Sequence, residues 1–564
     1  MPLEMNRREA LALGAASLAA LSFPARGAAD KPLPEIPRAL IEAHDAALQH
    51  TLDRQVADTQ SPWFGSFPDQ FELHHCTAAA AFLRDATAAY VQPRSAFHVS
   101  SDLFTRMDWA AGYLTRSQNA EGNIDLIATN FNSPPDTAFV VHKVASAAKL
   151  GVMHERGEVA ELLRDFLVKA GEGLSRGGIH TPNHRWVVCA ALAQIHDLLP
   201  DQRYLDRVDQ WLAEGIDIDD EGQFTERSTA GYNAVVNTAL LVTALKLNRP
   251  ALLDPVRKNL DAMAFLLHPN GEVVTEISSR QDLNTRGTMA GYWVSLRYLA
   301  IRDQKDLYAA MLQFIEPAAK ELPWLMEYPE LCAELPAASP IPDQYERELP
   351  ASGITRIRRG KVSVTLMHRE NSRWISLRNG DVVINAVRFA SAFFGKGQFI
   401  PGDYEKRADG YHFQQELRGQ YYQPLADPAL LPVTPSSWGR VKMRRATSEL
   451  CRLVYEAQVR ELPQGIEISI RAQGTPGVPL AVEINLREGG TLSGPVPAPA
   501  VGEAFLLKEG FAEYALGNGI IRFGPGRGEH AWVQLRGAEG KLPGPSVYLT
   551  GYTPFEHVLQ FELR

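Results

Sequence analysis

In the first half of this chain, polar lead-ins marked by Gly, Pro, Ser or Thr run repeatedly into apolar stretches of helical period. Four of them, 129–136, 180–186, 225–233 and 276–284, follow one another at intervals of roughly fifty residues. Fifty residues is about two helices and two connections, given a mean helix of about 11–12 residues. Each interval therefore reads as one helical hairpin, and a ring of hairpins brings all four lead-ins to one rim. Asn132, Asp136, Asn183, His184, Tyr232 and Asp282 fall at these places, and such side chains bind and transform sugars.

The helical period holds from Ile36 to about Leu331. Pro134 to Leu150, Pro182 to Leu199, Ala230 to Leu247, Leu252 to Leu267 and Gly287 to Ile301 carry apolar residues at three- and four-residue spacing. Thr181 before Pro182 predicts an N-cap followed by proline at the first helical position, and Ser133-Pro-Pro-Asp136 has the form of a capping box. Several helices that follow the lead-ins, such as the one through Ala234 to Ala244, are apolar on most faces and belong inside. Glu158 to Ala170 and Asp201 to Ala213 are amphipathic and suit an outer layer. An inner ring wrapped by an outer one is an α/α toroid; a plain α-solenoid is the competing reading.

After Leu335 the period changes. A Pro-rich linker is read over 336–350, followed by alternating strand patterns in Gly353 to Leu366 and Trp374 to Val387. Further strands are predicted at Leu453 to Val459, Gly465 to Arg471, Leu480 to Leu486, Gly519 to Phe523, Ala531 to Leu535 and His557 to Leu563. The expected organisation is a toroid over 30–335 and an antiparallel β-sandwich over 351–564. At 564 residues two large domains are the default.

The net charge of -9 leaves no basic footprint and argues against nucleic acid. It leaves room for a locally basic site, since Arg176, His180, His184, Arg185 and Arg227 crowd two of the lead-ins. Residues 1–29 read as a signal peptide: Arg7-Arg8, an apolar stretch from Ala10 to Phe23, then Gly27-Ala28-Ala29 as a small-residue cleavage site. The paired arginines point to twin-arginine export and a periplasmic or secreted protein. No apolar stretch reaches the ~20 residues of a membrane span, so no stable membrane insertion is expected. Cys76, Cys189, Cys332 and Cys451 are far apart, which speaks against a structural zinc site. They are read as free thiols.

Asn183 and His184 fall in the first turn of their helix, where free N–H groups and the dipole favour an anion. They could hold a carboxylate, or they could be a cap and a core histidine. Tyr232 takes the equivalent place on the next hairpin. A phenol serves as acid or base near neutrality where cations such as Arg227 favour its phenolate; the alternative is a core tyrosine. Asp136, Glu226, Glu276 and Asp282 supply carboxylates, and two of them facing one glycosidic bond would be a hydrolase apparatus. His368 is placed on a strand just past the junction. Arg185, Trp186, Arg227 and Arg280, with Asn132, Asp136, Glu226 and Asp282, complete the expected substrate-binding set. No cofactor and no metal ligand are expected.

The combination resembles the heparinase II/III-like polysaccharide lyases: an exported chain, a toroid, a carboxy-terminal sandwich, an Asn-His helix start at Pro182 to Arg185, and the segment Asp220 to Tyr232 about fifty residues on. The resemblance implies an acidic polysaccharide substrate cleaved by β-elimination. It implies that Asn183, with or without His184, neutralises a uronic acid carboxylate, that Tyr232 protonates the leaving oxygen, and that His368 assists proton abstraction. Two other readings stay open. One is a glycoside hydrolase of uronic acids using Glu226 and Asp282; the other is a periplasmic glycan-binding protein without turnover.

Overall fold

The structure, a computed structural model, describes residues 35–368 and 371–564; the signal peptide read over 1–29 lies outside them. It divides into two units, one formed by the described residues of Met1–Ala264 with Val273–Ile341, the other by Phe265–Glu272 with Pro342–Arg564. No helix among the described residues is long and apolar enough to cross a membrane.

The first unit is built of helices that alternate between an inner and an outer layer. After α1 (Arg38–Leu52), the order is α2 (Cys76–Val91), α3 (Ser101–Ser117), α4 (Pro134–Met153), α5 (Gly157–Arg176), α6 (Pro182–Leu198) and α7 (Gln202–Leu212). Then come α8 (Tyr232–Lys246), α9 (Leu253–Met263), α10 (Trp293–Asp303), α11 (Asp306–Leu312) and α12 (Leu322–Glu327). The even members α2 to α10 pack successively on one another, and each is flanked by the odd-numbered helix that follows it. Burial follows the sequence pattern. In α6 the run from Trp186 to Ile195 is buried throughout, whereas α7 buries only Tyr204 and Val208. This is the toroid expected from the sequence.

The repeat also has a backbone signature. Five-residue turns at Asp69–Leu73, Asn119–Asn123, Asp219–Gln223 and, in the segment that belongs to the second unit, His268–Glu272 each close with the first N–H donating to the fifth carbonyl, at 2.8–2.9 Å. In three of them the first side chain, Asp69, Asn119 or Asp219, accepts from the N–H groups two and four residues on. The fourth position has positive φ and is Gly122, Gly222 or Gly271, with Glu72 in the first turn. At Gly122 a Cβ would lie 2.0 Å from the Lys169 carbonyl oxygen, so only glycine lets that turn rest on α5.

Two helix boundaries differ from the sequence reading. The stretch Leu252 to Leu267 is helical only to Met263, because Phe265–Glu272 is built into the second unit. The last inner helix begins at Trp293 rather than Gly287, since Gly287–Thr288 is a short strand and Ala290–Tyr292 a 3-10 turn. Thr181 is the residue before α6 as expected, but its side chain makes no capping bond. The Ser133 cap forms: its hydroxyl accepts from the Asp136 N–H and donates to the Asp136 carboxylate at 2.5 Å.

The second unit contains a sheet of nine strands and one of eight. Alternate residues of both, including Val364, Leu377, Val482 and Leu549 from one and Tyr455, Ile468, Ile521 and Phe561 from the other, form a single buried core around Trp374. It is a sandwich, antiparallel except where Ala504–Leu506 runs parallel to Ser546–Tyr552. Gln344–Leu349, inside the stretch read as linker, is an edge strand, and Ala531 to Leu535, predicted as a strand, lies outside the named strands. Glu272 fastens the segment 265–272 to the sheet through Arg378 at 2.5 Å and Arg487 at 2.9 Å. Burial raises its carboxyl, but these two guanidinium groups outweigh burial and hold it at about 2.

In the first unit a second buried ion pair locks α12. Lys246, at the end of α8, lies 2.9 Å from Glu327, whose other oxygen accepts from Ser146 of α4 at 2.5 Å. Removing one partner strands a charge in the interior. Lys246→Met is expected to lower stability by about 3–5 kcal/mol in urea denaturation, with Lys246→Met/Glu327→Gln recovering part of the loss. Equal stabilities for the single variant and the parent would show that this pair does not hold α12.

Candidate functional site

The lead-in to α4 is consumed by its own architecture. Asn132 has φ +47°, and its side-chain Oδ1 accepts from the Asn119 and Asn123 amides at 2.7 and 2.9 Å. Asp136 accepts from Asn130 at 2.9 Å as well as from Ser133. Both residues hold the turn that starts the helix.

The next three lead-ins converge. Asn183, in the first turn of α6, is buried, and its amide donates to Glu226 at 2.6 Å and to Thr181 at 3.1 Å. The other Glu226 oxygen lies 3.3 Å from Nε of Arg280, and the Arg280 guanidinium stands over the Tyr232 ring, 4.8 Å from its centre. Burial pushes the Glu226 carboxyl up, against the opposing pull of Asn183 and Arg280. One amide, one carboxylate, one guanidinium and one phenol thus meet from loops roughly fifty residues apart. A cation over that ring stabilises negative charge arising on the phenol oxygen. The sequence pointed to Arg227 for this role; in the structure Arg227 pairs with Asp219 at 2.7 Å and Arg280 is the cation at the ring.

His184 is buried next to Asn183, its ring edge-on to His180 at 4.6 Å and to Phe139 at 6.1 Å. Burial, reinforced by His180, pushes its imidazole down to about 4, so the ring is neutral near pH 7. Among the described residues its Nδ1 has no hydrogen-bond partner, nor has the Asn183 Oδ1. Two buried polar atoms without partners on adjacent residues are costly in a purely structural setting, and they favour a ligand-facing reading of this pair.

Other expected site residues are engaged in building it. Asp282 accepts from Ser228, from Ser278 and from the Ala230 N–H. Ser228 in turn accepts from the Tyr232 N–H at 2.9 Å, so Asp282 fixes the start of α8 from the neighbouring loop. Arg185 pairs with Glu214 and Asp217 at 3.0 and 2.8 Å. Trp186 is fully enclosed and donates to Asp217 at 2.9 Å, so its ring packs instead of facing a ligand. In the second unit, the His368 Nε2 is 2.7 Å from the Thr355 hydroxyl and its ring stacks on Tyr404 at 3.7 Å.

Sequence reasoning passed over Ser228, whose hydroxyl sets the Tyr232 backbone, and His142, which lies inside an apolar helix pattern. His142 borders a cavity of about 210 Å³ lined also by Phe139, Val187, Ala190, Gly231 and Ala234. Gln194 fixes its tautomer: the Gln194 amide donates to the His142 carbonyl, so its oxygen faces Nδ1 at 2.8 Å and Nδ1 carries the proton. Burial pushes this imidazole down to about 4 as well. Cys76 and Cys189 are buried free thiols. Among the described residues no group of three His, Cys, Asp or Glu could hold a metal ion.

No protein-family model matches this sequence, and no curated protein matches it. Similarity appears among solved structures. Chondroitin AC lyase of Streptomyces coelicolor A3, in complex with chondroitin sulphate, has 14% identity over 95% of this chain and 81% of that one, with a TM-score of 0.56. Xanthan lyase of Paenibacillus has 9% identity over 93% of this chain and 56% of that one, with a TM-score of 0.55. A heparinase III has 8% identity over 96% and 87%, with a TM-score of 0.52. The chain has the fold of the polysaccharide lyases.

His142 and His184 are among the histidines that burial depresses, and each contributes to a pH dependence of stability. The unfolded chain takes protons at His142 and His184 below about 6.5, the folded chain only below about 4. Stability therefore falls as pH drops through this interval, by up to about 1.4 kcal/mol per pH unit for each. Urea denaturation at pH 7.5, 6 and 5 is expected to show a shallower decline in His184→Gln than in the parent; parallel declines would exclude a buried neutral His184.

Proposed function

We propose that this protein is an exported polysaccharide lyase that cleaves a uronic-acid-containing glycan by β-elimination. The observation that carries the proposal is the meeting of Asn183, Glu226, Arg280 and Tyr232 at three successive lead-ins, on a fold shared with polysaccharide lyases. The proton at C5 of a uronic acid becomes removable when its carboxylate charge is neutralised and the enolate-like transition state is met by donors already in place. Arg280 brings positive charge to that carboxylate, neutral His184 donates a ring N–H to it, and Asn183 turns to it the amide N–H that Thr181 accepts in the substrate-free chain. Tyr232 takes the C5 proton and returns a proton to O4. The C5–H electrons form the C4–C5 double bond as the C4–O4 bond breaks, and no water is consumed. Glu226 holds Asn183 and Arg280 in register.

A hydrolase based on Glu226 and Asp282 fits less well, because the Asp282 carboxylate is taken up by Ser228 and the Ala230 N–H of the loop that begins α8 and by Ser278 of its own loop. Export rests on Arg7-Arg8, the apolar stretch that follows and the small residues at Gly27-Ala28-Ala29.

The test is incubation with a panel of uronic-acid glycans, following ultraviolet absorbance of the C4–C5 double bond beside new reducing ends. Both are expected to rise together. Tyr232→Phe is expected to lower kcat by about 10²–10⁴-fold, the usual worth of a proton-transfer group. New ends without absorbance would replace the lyase by a hydrolase, and binding without new ends would leave a glycan-binding protein. Arg280→Lys keeps the charge but loses the planar fork, and is expected to reduce kcat/KM at least tenfold while the urea midpoint stays near that of the parent. Undiminished turnover would remove Arg280 from the carboxylate.

A further inference from the structure

The strands Gly410–Tyr422 and Thr447–Leu462 pair along their length, with Tyr422 opposite Thr447 at the end of the ladder. Between them, residues 423–446 leave the sheet as an arm. Its regular structure is limited to a 3-10 turn at Pro428–Leu430 and the short helix Trp438–Lys442, and Val441 is its one buried side chain. Connections of this length with so little structure of their own are uncommon.

Two properties of the arm point the same way. Arg440, Lys442, Arg444 and Arg445 fall within six residues, on a chain of net charge -9. At the base of the arm Arg418 and Arg452 both pair with Glu416. The four arm cations instead have no carboxylate within ion-pair distance among the described residues. Lys442 stands over the Tyr422 ring and Arg445 over the Trp438 ring, each at 4.9 Å. The one acid of the arm, Asp427, caps its own turn through the Ala429 N–H. The second property is apolar exposure: Leu431, Trp438 and Met443 are 56%, 51% and 72% exposed, with Tyr421 at 59% beside them. A basic run that only needs solvation has no use for exposed indole, phenol and thioether groups between its charges. Guanidinium groups that match carboxylate or sulfate, set beside aromatic faces that can cover the apolar side of a sugar ring, suit a polyanionic carbohydrate.

We propose that the arm 423–446 is itself a binding site for acidic polysaccharide, built from residues other than those that meet at Tyr232. The inference rests on the reading of the substrate as an acidic glycan. Trp438 gives a flat stacking surface held by Arg445, and Arg440, Lys442 and Arg444 take the anionic groups. The arm thereby raises affinity for long chains and contributes little to short ones.

The test uses the full chain with Arg440, Lys442 and Arg444 all replaced by Gln, leaving Arg445 to support Trp438, and Trp438→Ala as a second variant. Binding of a heparin dodecasaccharide is measured by calorimetry at several salt concentrations. The triple variant is expected to bind at least tenfold more weakly with a shallower salt dependence, and Trp438→Ala to weaken binding at unchanged salt dependence. Thermal midpoints and turnover of tetrasaccharides are expected to stay at parental values. Unchanged dodecasaccharide affinity in both variants would overturn the proposal. So would arm-dependent binding to phosphatidylglycerol vesicles with glycan binding unaffected, which would make the arm a membrane contact. The binding measurement needs no turnover, so a failed lyase assay and a failed arm remain distinguishable.

Discussion

The inner helices of the first unit have too little polar surface to face water, and the rest of that unit follows from hiding them. From Trp186 to Ile195 every side chain of α6 is buried, and α8 carries buried apolar residues with Asn233, Asn237 and Thr243 among them. Such helices need neighbours on all sides. The chain supplies them by sending each apolar helix into an amphipathic one and back, so that all the inner helices begin on the same rim. The turns that make the return are built alike, with Asn119 or Asp219 folding its side chain over its own backbone and Gly122 or Gly222 resting on the outer helix. A rim of helix N-termini, with their free N–H groups, is where an anionic substrate gains most.

At that rim the buried Glu226 carboxylate draws Asn183 and Arg280 together, and Arg280 reaches the Tyr232 ring. An anion in the interior would be unfavourable without partners; its partners here are the groups proposed to act on substrate. Asp282 serves the same end at the level of the backbone, through Ser228. The site is thus a small network of charges with opposite preferences, in which burial raises the carboxyl of Glu226 and lowers the imidazole of His184. Both shifts have one cause, since burial disfavours the charged form of each group.

Much of this was legible in the sequence. The hairpin repeat, the change of period near residue 340, the start of α6 at Pro182 and the Ser133 cap all follow from local pattern, because local hydrogen bonds and apolar spacing create them. Asn183 and Tyr232 were legible as candidate site residues for the same reason, being first-turn positions. Arg185 and Trp186 shared that position and were drawn into packing by Asp217, a partner some thirty residues away that no local pattern reveals. The choice between Arg227 and Arg280 turned on Asp219, which claims the first and leaves the second to Glu226 and Tyr232. His142 was hidden because a histidine in an apolar helix has no local signature, and its proton position is set by Gln194 on another helix.

By itself, then, the sequence determined the period of the two halves, the places where helices begin and the residue types at those places, since these depend on neighbours a few positions apart. Tertiary structure decided which charge meets which. Glu272 and the segment before it left the helical run to join the sheet, where Arg378 and Arg487 neutralise it, although the helical spacing continued to Leu267. The same holds for the guanidinium over Tyr232. Electrostatic partnership acts through space at a few ångströms, and only the folded chain brings residues fifty or two hundred positions apart to that distance.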